Sequence, residues 1–377
     1  MSLTFKLASR NLFQDRLRFV ATIVGIVFSI VLVTIQLGLF LSFERMVTAM
    51  IDHTSADLWI VTLGTKCFED PSLLDARDQA QILSIQGVIE SVPVVIGFTQ
   101  WAVPSGGVTP VFAIGSDAGQ RGLHPWNVVQ GSLAALSAQG AVAIDKTYSN
   151  RLGVSKIGDS AEIREQAVRV AAVTDGIRSF TTTPYIFTSL ANARSYVATP
   201  PNKVSYFLLH VSPGTDIGAV REQLLTKLAK IEVLTPDEFR SRSRAFWLFG
   251  TGAGAALFAG ALLGAIVGTV IVAQTLYSST KDHLSEFATL RAIGSSSGYI
   301  HKVIIYQALL SAVIGFGLAA CIGLVVVRST AETSLPIVMT PGLTLGLFLL
   351  TVLMCILSAT AAIVKVLRID PAVAFRQ

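Results

Sequence analysis

The sequence predicts an integral membrane protein with four transmembrane helices and a large extracytoplasmic α+β domain between the first and the second. Three observations predict it. Of the 377 residues, 52% are hydrophobic and only 14% charged, where a soluble domain runs near a quarter charged. The mean hydropathy is +0.62. Four runs carry no Asp, Glu, Lys or Arg, and each supplies the roughly 20 apolar residues a bilayer crossing needs. Residues 44–244, between the first two runs, are by contrast of mixed composition.

The first span covers 19–43, the second 245–280 and the third 303–327. The fourth uncharged run, 333–364, holds Pro336 and Pro341, so its helix is expected over 342–364. The first span reads as an anchor and not a cleaved signal, because its apolar run is too long and no small-x-small site precedes Glu44. Orientation follows from the short flanks. Lys6, Arg10, Arg16 and Arg18 precede the first span; Lys281, Arg291 and Lys302 separate the second and third; Lys365, Arg368 and Arg376 follow the fourth. The loop 328–341 carries only Arg328 and Glu332. The positive-inside rule therefore puts both termini and the loop 281–302 in the cytoplasm and the domain 44–244 outside. These flanks explain the net charge of +5, and no Lys/Arg cluster interleaved with aromatics points to nucleic acid. Three cysteines give no disulfide framework. All three read as structural, with pairing of Cys67 between chains left open.

The second span is long. From 245 to 280 it has 36 uncharged residues, about 54 Å if helical throughout, against a hydrocarbon core of about 30 Å. A stalk joining the outer domain to the cytoplasmic loop is expected there. The span also places Gly252, Ala256, Gly260, Gly264 and Gly268 four apart, a row that lets helix backbones approach closely in lipid. Packing within one subunit is one use of such a row; a seam between two copies is the preferred one. Interior polar groups such as Gln36, Gln274 and Gln307 are neutral. Ion-coupled carriers keep an intramembrane carboxylate or histidine, so energy is expected from elsewhere.

In the outer segment, period-2 patterning predicts strands at 57–63, 88–103 (possible as two, broken at Pro93), 204–211 and 231–234. Helices are expected at 73–85 and 216–230, the latter with Leu224, Leu225 and Leu228 on its apolar side. These make two βαβ-like units. The stretch between them is rich in Gly, Pro and short strands (111–115, 141–144, 168–174 and 185–188), so one subdomain is read as inserted into another. His210 lies in a strand and reads as a core histidine; His53 and His124 are scattered. No H-E-x-x-H, G-x-S-x-G or C-x-x-C occurs. No G-x-x-x-x-G-K-[ST] occurs either, so these residues hold no P-loop for ATP.

The most specific stretch is STKDHLSEFATLRAIGSSSGY, 279–299. Ser279 and Asp282 suit a helix start. Leu284, Phe287 and Ala288 share a face, with Leu290 and Ile293 drifting off it. Arg291 suits a helix end and Gly294 a terminator. Apolar side chains on a short cytoplasmic helix need a partner, whether a protein or the headgroups. Glu286, Leu290, Arg291, Ala292, Ile293 and Gly294 match the E-x-x-x-L-[RK]-A-[IL]-G pattern of FtsX/MacB-type ABC transporter permeases. The longer string DHLSEFATLRAIG more narrowly resembles DevC permeases, membrane subunits of DevBCA-type exporters. VIGFTQW at 95–101, IDPAVAFR at 369–376 and ASRNLFQDRLR at 8–18 agree, the last resembling the family's amphipathic helix on the cytoplasmic surface.

The resemblance implies the following. The outer domain is a porter-like subdomain (45–102 and 204–244) with an inserted subdomain (103–203), facing the periplasm from the inner membrane. The segment Asp282–Gly294, through Asp282, Leu284, Glu286, Phe287, Leu290, Arg291, Ala292, Ile293 and Gly294, docks into a cleft of a separate ATPase chain. That chain, and not this one, binds ATP and Mg; this chain binds no cofactor or metal and is no enzyme. The other partners are a second copy, a periplasmic membrane fusion protein and a TolC-like outer-membrane duct. A MacB-type ATPase domain does not precede the first span, and arginines common before the motif glutamate are absent. A lipoprotein-releasing permease of the LolC/LolE sort and a non-transporting FtsX-type regulator of cell-wall hydrolases are the alternatives; the size of 44–244 speaks against the second.

Overall fold

The computed structural model describes residues 9–367 except 11, 118, 120 and 283–296. A helix, α1 (Arg16–Asp52), leads into the outer unit. That unit runs β1 (Leu58–Thr62), β2 (Leu74–Asp75), α2 (Asp78–Leu83), β3 (Val88–Ala102), β4 (Val108–Gly115), β5 (Val128–Gly131), β6 (Ala141–Asp145), α3 (Ser149–Leu152), β7 (Ser160–Ile163) and β8 (Gln166–Thr174). It continues with β9 (Tyr185–Thr188), α4 (Leu190–Tyr196), β10 (Lys203–Val204), β11 (Tyr206–Val211), α5 (Ile217–Lys227), β12 (Ile231–Leu234) and α6 (Pro236–Arg244). A wide π-helical turn, Ala245–Gly250, then leads to α7 (Ala253–Asp282), followed by α8 (Ser297–Thr330) and α9 (Pro341–Leu367). Two compact units result: a membrane unit of Met1–Ser42, Ala255–Ala331 and Pro336–Gln377, and an outer unit of Phe43–Gly254 with Glu332–Leu335.

The porter-like part of the outer unit has the strand order β12-β1-β11-β3. Both β11 and β12 run antiparallel to β1, and β3 runs antiparallel to β11. With α2 between β1 and β3 and α5 between β11 and β12, this is a pair of interlocked split β-α-β units, a ferredoxin-like topology. Strand alternation separates its two faces. Leu58, Ile60, Phe207, Leu209, Ile231 and Val233 meet Ile82 of α2 and Val220 and Leu224 of α5. Trp59, Val61, Tyr206 and Leu208 share the opposite core with Phe239 of α6 and Met50 and Ile51 at the end of α1.

The insertion continues the same sheet. β3 pairs with β11 over its first half and with β4 from Val95 onward, and the sheet proceeds β4-β9-β6-β8-β5, with β7 beside β3 and β8. Pro93 does not divide the strand as the sequence allowed. It lies opposite Phe207, before the β4 pairing begins, where its missing N–H is tolerated as at a sheet edge.

Three further expectations change. The helix expected over 73–85 is shorter, because Leu74–Asp75 pair with Lys203–Val204 as strands and only Asp78–Leu83 turn helical. On α5 the buried row is Val220, Leu224 and Leu228, four apart, while Leu225 is 48% exposed. Cys67 is fully buried, which removes it from pairing between chains.

The expected stalk on the second span is also corrected. α1 is the long continuous helix, 37 residues or about 55 Å; beyond Glu44 its Met46, Val47, Met50 and Ile51 are buried, an amphipathic continuation. The 245–280 run is not one helix. It breaks after the π turn at Thr251–Gly252, where Gly252 takes φ +76, a conformation that glycine adopts without steric cost. In the membrane unit α9 starts with Pro341 at its first position, and the Thr340 hydroxyl accepts from the Leu343 N–H at 3.2 Å, a normal N-cap.

Burial makes a direct contrast between adjacent residues. Leu224→Ala is expected to cost the outer unit about 2–5 kcal/mol and Leu225→Ala no more than about 0.5 kcal/mol, measured by pulse proteolysis of the full chain across a urea series.

Candidate functional site

α7 ends at Asp282 and α8 begins at Ser297, so the predicted ATPase-docking segment lies between these two membrane helices. Leu284, Glu286, Phe287, Leu290, Arg291, Ala292, Ile293 and Gly294 fall outside the described residues, as does the side chain of Asp282.

The small-residue row on the second span is described, and three of its glycines pack within the subunit. Gly260, Gly264 and Gly268 face α1 of the same chain: a Cβ at Gly260 would meet Gln36, one at Gly264 Leu32 and Val33, and one at Gly268 Ser29. The Ser29 hydroxyl donates to the Gly264 carbonyl at 2.6 Å. Gly25 of α1 is in turn filled by Ile271. Close backbone approach is thus spent within the subunit. Ala256 is exposed and nothing lies within 4 Å of a Cβ at Gly252, so neither joins this contact. What α7 leaves open is a large-residue face of Phe258, Leu262, Leu263 and Ile266.

The site that sequence reasoning missed is the root of the outer unit, where the chain enters on α1 and leaves through α6 and the π turn. Thr235 and Glu238 form a reciprocal capping box that fixes the start of α6, with Pro236 following the cap. Arg240 of α6 pairs with Asp52 of α1 at 2.8 Å and Arg244 with Glu44 at 3.5 Å. These pairs are partly exposed and contribute about 0–1 kcal/mol each. The apolar plug beside them weighs more. Met46, Val47 and Phe180 are buried together against Phe43 and Trp247, with the Phe180 ring 4.3 Å from Trp247 and 5.1 Å from Phe43. Burial contributes about 1.5–3 kcal/mol per large side chain, so the rings and not the ion pairs hold the root closed. Further up, the end of α1 is capped by His53, whose Nδ1–H donates to Ala49 O at 2.8 Å while its ring stacks on Trp126 at 3.8 Å.

Glu69, in the loop after β1, is 8% exposed. Its Oε2 accepts from the Trp247 indole N–H at 3.0 Å, and its Oε1 from the Tyr185 hydroxyl at 3.2 Å. It thereby ties the π turn to β9 of the inserted strands. Burial pushes its carboxyl up to about 7, against the downward pull of the Trp247 and Tyr185 donors. Burial, with Glu69 beside it, pushes the Cys67 thiol up to about 12, so this cysteine is inert at neutral pH. Nothing in the sequence marks Glu69, which reads there as one more acidic residue in a polar loop. Among the described residues no cluster of three His, Cys, Asp or Glu could hold a metal.

If the small-residue row packs within the chain, Gly25→Cys with Ile271→Cys should close a disulfide inside one subunit. A Cβ at position 25 would lie 3.3 Å from that of Ile271, close to the roughly 3.5–4.5 Å of ordinary disulfides. Oxidation of this pair in an otherwise cysteine-free chain should leave the product at monomer mass on a non-reducing gel, while a single Gly264→Cys should give no cross-linked dimer.

Residues 19–227 match the family model of the MacB-like periplasmic core domain and residues 246–371 that of the FtsX-like permease C-terminal region. No curated protein matches the chain. Among solved structures, the periplasmic region of MacB from Actinobacillus actinomycetemcomitans is similar at 10% identity and a TM-score of 0.38, covering 49% of this chain and 90% of that one. The extracellular domain of YknZ, an ABC-type transporter of Gram-positive bacteria, is similar at 15% identity and 0.37, covering 47% and 99%. A domain of a Porphyromonas gingivalis protein described as a permease gives 14%, 0.34, 48% and 90%. The assignment rests on the two family models, one ending at 227 and the other beginning at 246: the chain belongs to the FtsX/MacB family of ABC transporter permeases.

Proposed function

We propose that this permease is the membrane subunit of a MacB/DevC-type exporter that turns ATP hydrolysis on a separate chain into movement of its outer domain. The observation that carries the reading is the motif Glu286-x-x-x-Leu290-Arg291-Ala292-Ile293-Gly294, set between α7 and α8 on the side that the positive-inside rule makes cytoplasmic. Closure of two ATPase subunits around ATP and Mg pushes on this segment. The movement passes along α7, with the π turn and Gly252 as the joint at its outer end and α1, packed against its glycines, as the unbroken rod. Four membrane helices enclose little space, so two copies are required, and the large-residue face of α7 is available to the second. The outer domain then works in the periplasm on cargo handed to a membrane fusion protein and a TolC-like duct.

No ionisable group of the type that couples ion gradients occurs in the four uncharged spans, which supports ATP on a partner chain as the energy source. Leu290→Asp or Phe287→Asp places a charge on the apolar docking face and should reduce co-purification of the ATPase subunit at least tenfold, the loss expected when about 1.4 kcal/mol of contact is removed. Outer-domain proteolysis should stay unchanged. Normal capture of the ATPase by both variants would overturn the assignment.

A further inference from the structure

The root of the outer unit contains an acid that its packing leaves without a matched charge. Glu69 is buried between three elements: its own loop, β9 through Tyr185, and the π turn through Trp247. A buried carboxylate is ordinarily retained beside a cation or a metal. Among the described residues, the groups acting on it are neutral or acidic. Trp247 and Tyr185 donate to it, Cys67 adds a thiol, Asp70 lies in the same loop, and Tyr206 from β11 faces it with its hydroxyl committed to the Phe68 carbonyl at 2.8 Å. Two cations of neighbouring segments are engaged elsewhere, and Arg178, beside Ser179 and Phe180, acts on Tyr148. Arg242 pairs with Glu232 at 2.6 Å and donates to the Thr65 carbonyl, and the Lys66 ammonium lies over the Phe246 ring at 5.9 Å.

The element it holds is built to give way. Ala245–Gly250 is a π turn closed by the Thr251 N–H on Phe246 O at 2.9 Å, and it is followed at once by Gly252 in the left-handed region. Single π turns of this kind are rare in helices and recur at functional sites.

We propose that Glu69 is a proton-operated latch on the joint between the outer domain and the second membrane helix: protonated, it ties Trp247 to Tyr185, and ionised, it releases the π turn. The protonated acid can keep both links, since Oε2 still accepts from the indole and the acid proton donates to the phenol oxygen. The ionised acid accepts from both as well, but it is a bare charge in an apolar setting, and opening the joint to water relieves that cost.

The sign follows from linkage. The closed joint holds the carboxyl at about 7 against an ordinary 4.5, so closing takes up a proton between those values. Closure is therefore strongest below pH 4.5, weakens as pH rises through this window and levels off above 7. Between pH 6 and 8 the closed state should weaken about tenfold on these two values. The latch concerns the outer unit alone and holds whichever cargo or ATPase the permease serves.

The test is hydrogen exchange of the peptide covering 245–250, in the full chain in nanodiscs, corrected for the intrinsic pH dependence of exchange. The wild type should lose about tenfold protection from pH 6 to 8. Glu69→Gln, which presents one acceptor and one donor at every pH, should keep its protection constant. Protection that does not change with pH in the wild type, or that changes equally in Glu69→Gln, would overturn the latch. Should Glu69→Gln fail to fold, the fluorine resonance of 5-fluorotryptophan at position 247 in the wild type decides. Movement with a midpoint near 7 supports the proposal, and a flat trace overturns it.

Discussion

A domain inserted between two membrane helices must leave the bilayer and return to it at neighbouring points, and in this chain the pairing of β1 with β12 meets that demand. Trp59 lies opposite Leu234 and Thr62 opposite Ile231, so the first and last strands of the outer unit are hydrogen-bonded neighbours. The flanking helical segments follow from this pairing. The end of α1 precedes β1 by a short connection and α6 follows β12 after Thr235, so both emerge at the same end of the sheet. Met50 and Phe239, one from each, fill the same core. The ion pairs and aromatic plug at the root come after this geometry and do not create it.

The same constraint explains how the insertion is accommodated. An order of β12-β1-β11-β3 leaves β3 as the outermost porter strand, and its 15 residues extend past β11. The free half provides a ready-made edge, which β4 covers from Val95 to Ala102. Unpaired edges are a liability for any sheet; here the edge is the point of attachment for six further strands. Val92 from the porter half and Phe112 and Tyr185 from the inserted half therefore share one core, and the outer unit is compact as a whole.

Much of this was legible in the sequence because its signals are compositional or periodic. Uncharged runs located the four spans, alternation located the porter strands, and the loop between the second and third spans carried the family motif. What was not legible depends on chain geometry that composition does not encode. Glu44, Arg45 and Asp52 end the uncharged run, yet α1 continues because its apolar residues keep a helical spacing toward the outer core. The 245–280 run is uniform in charge, yet it contains a break, since only the backbone at Gly252 distinguishes a joint from a rod. Glycines four apart announce close packing but not the partner; Ser29 and Gln36 identify it as α1. Glu69 is the extreme case, an acid whose surroundings come from residues more than a hundred positions away.

The two membrane connections of the outer unit thus differ in kind, and the difference bears on how force would pass in the proposed mechanism. α1 is one helix from Arg16 to Asp52, with its hydrogen-bond ladder unbroken as it enters the outer core. The return path has a π turn, a left-handed glycine and then α7. A permease with two rigid connections would move its outer domain only as one body with the membrane helices. With two flexible ones, displacement of α7 would be lost before it reached the sheet. In the proposed mechanism, one rod and one joint would let α7 shift while α1 serves as reference, provided something holds the joint until it is needed. Ring packing alone is non-directional and would let the turn slip. The Glu69 carboxyl adds direction, because it fixes the Trp247 indole by its N–H and anchors it through Tyr185 to the inserted strands, where a rotation of the turn meets a hydrogen bond and not merely a greasy surface.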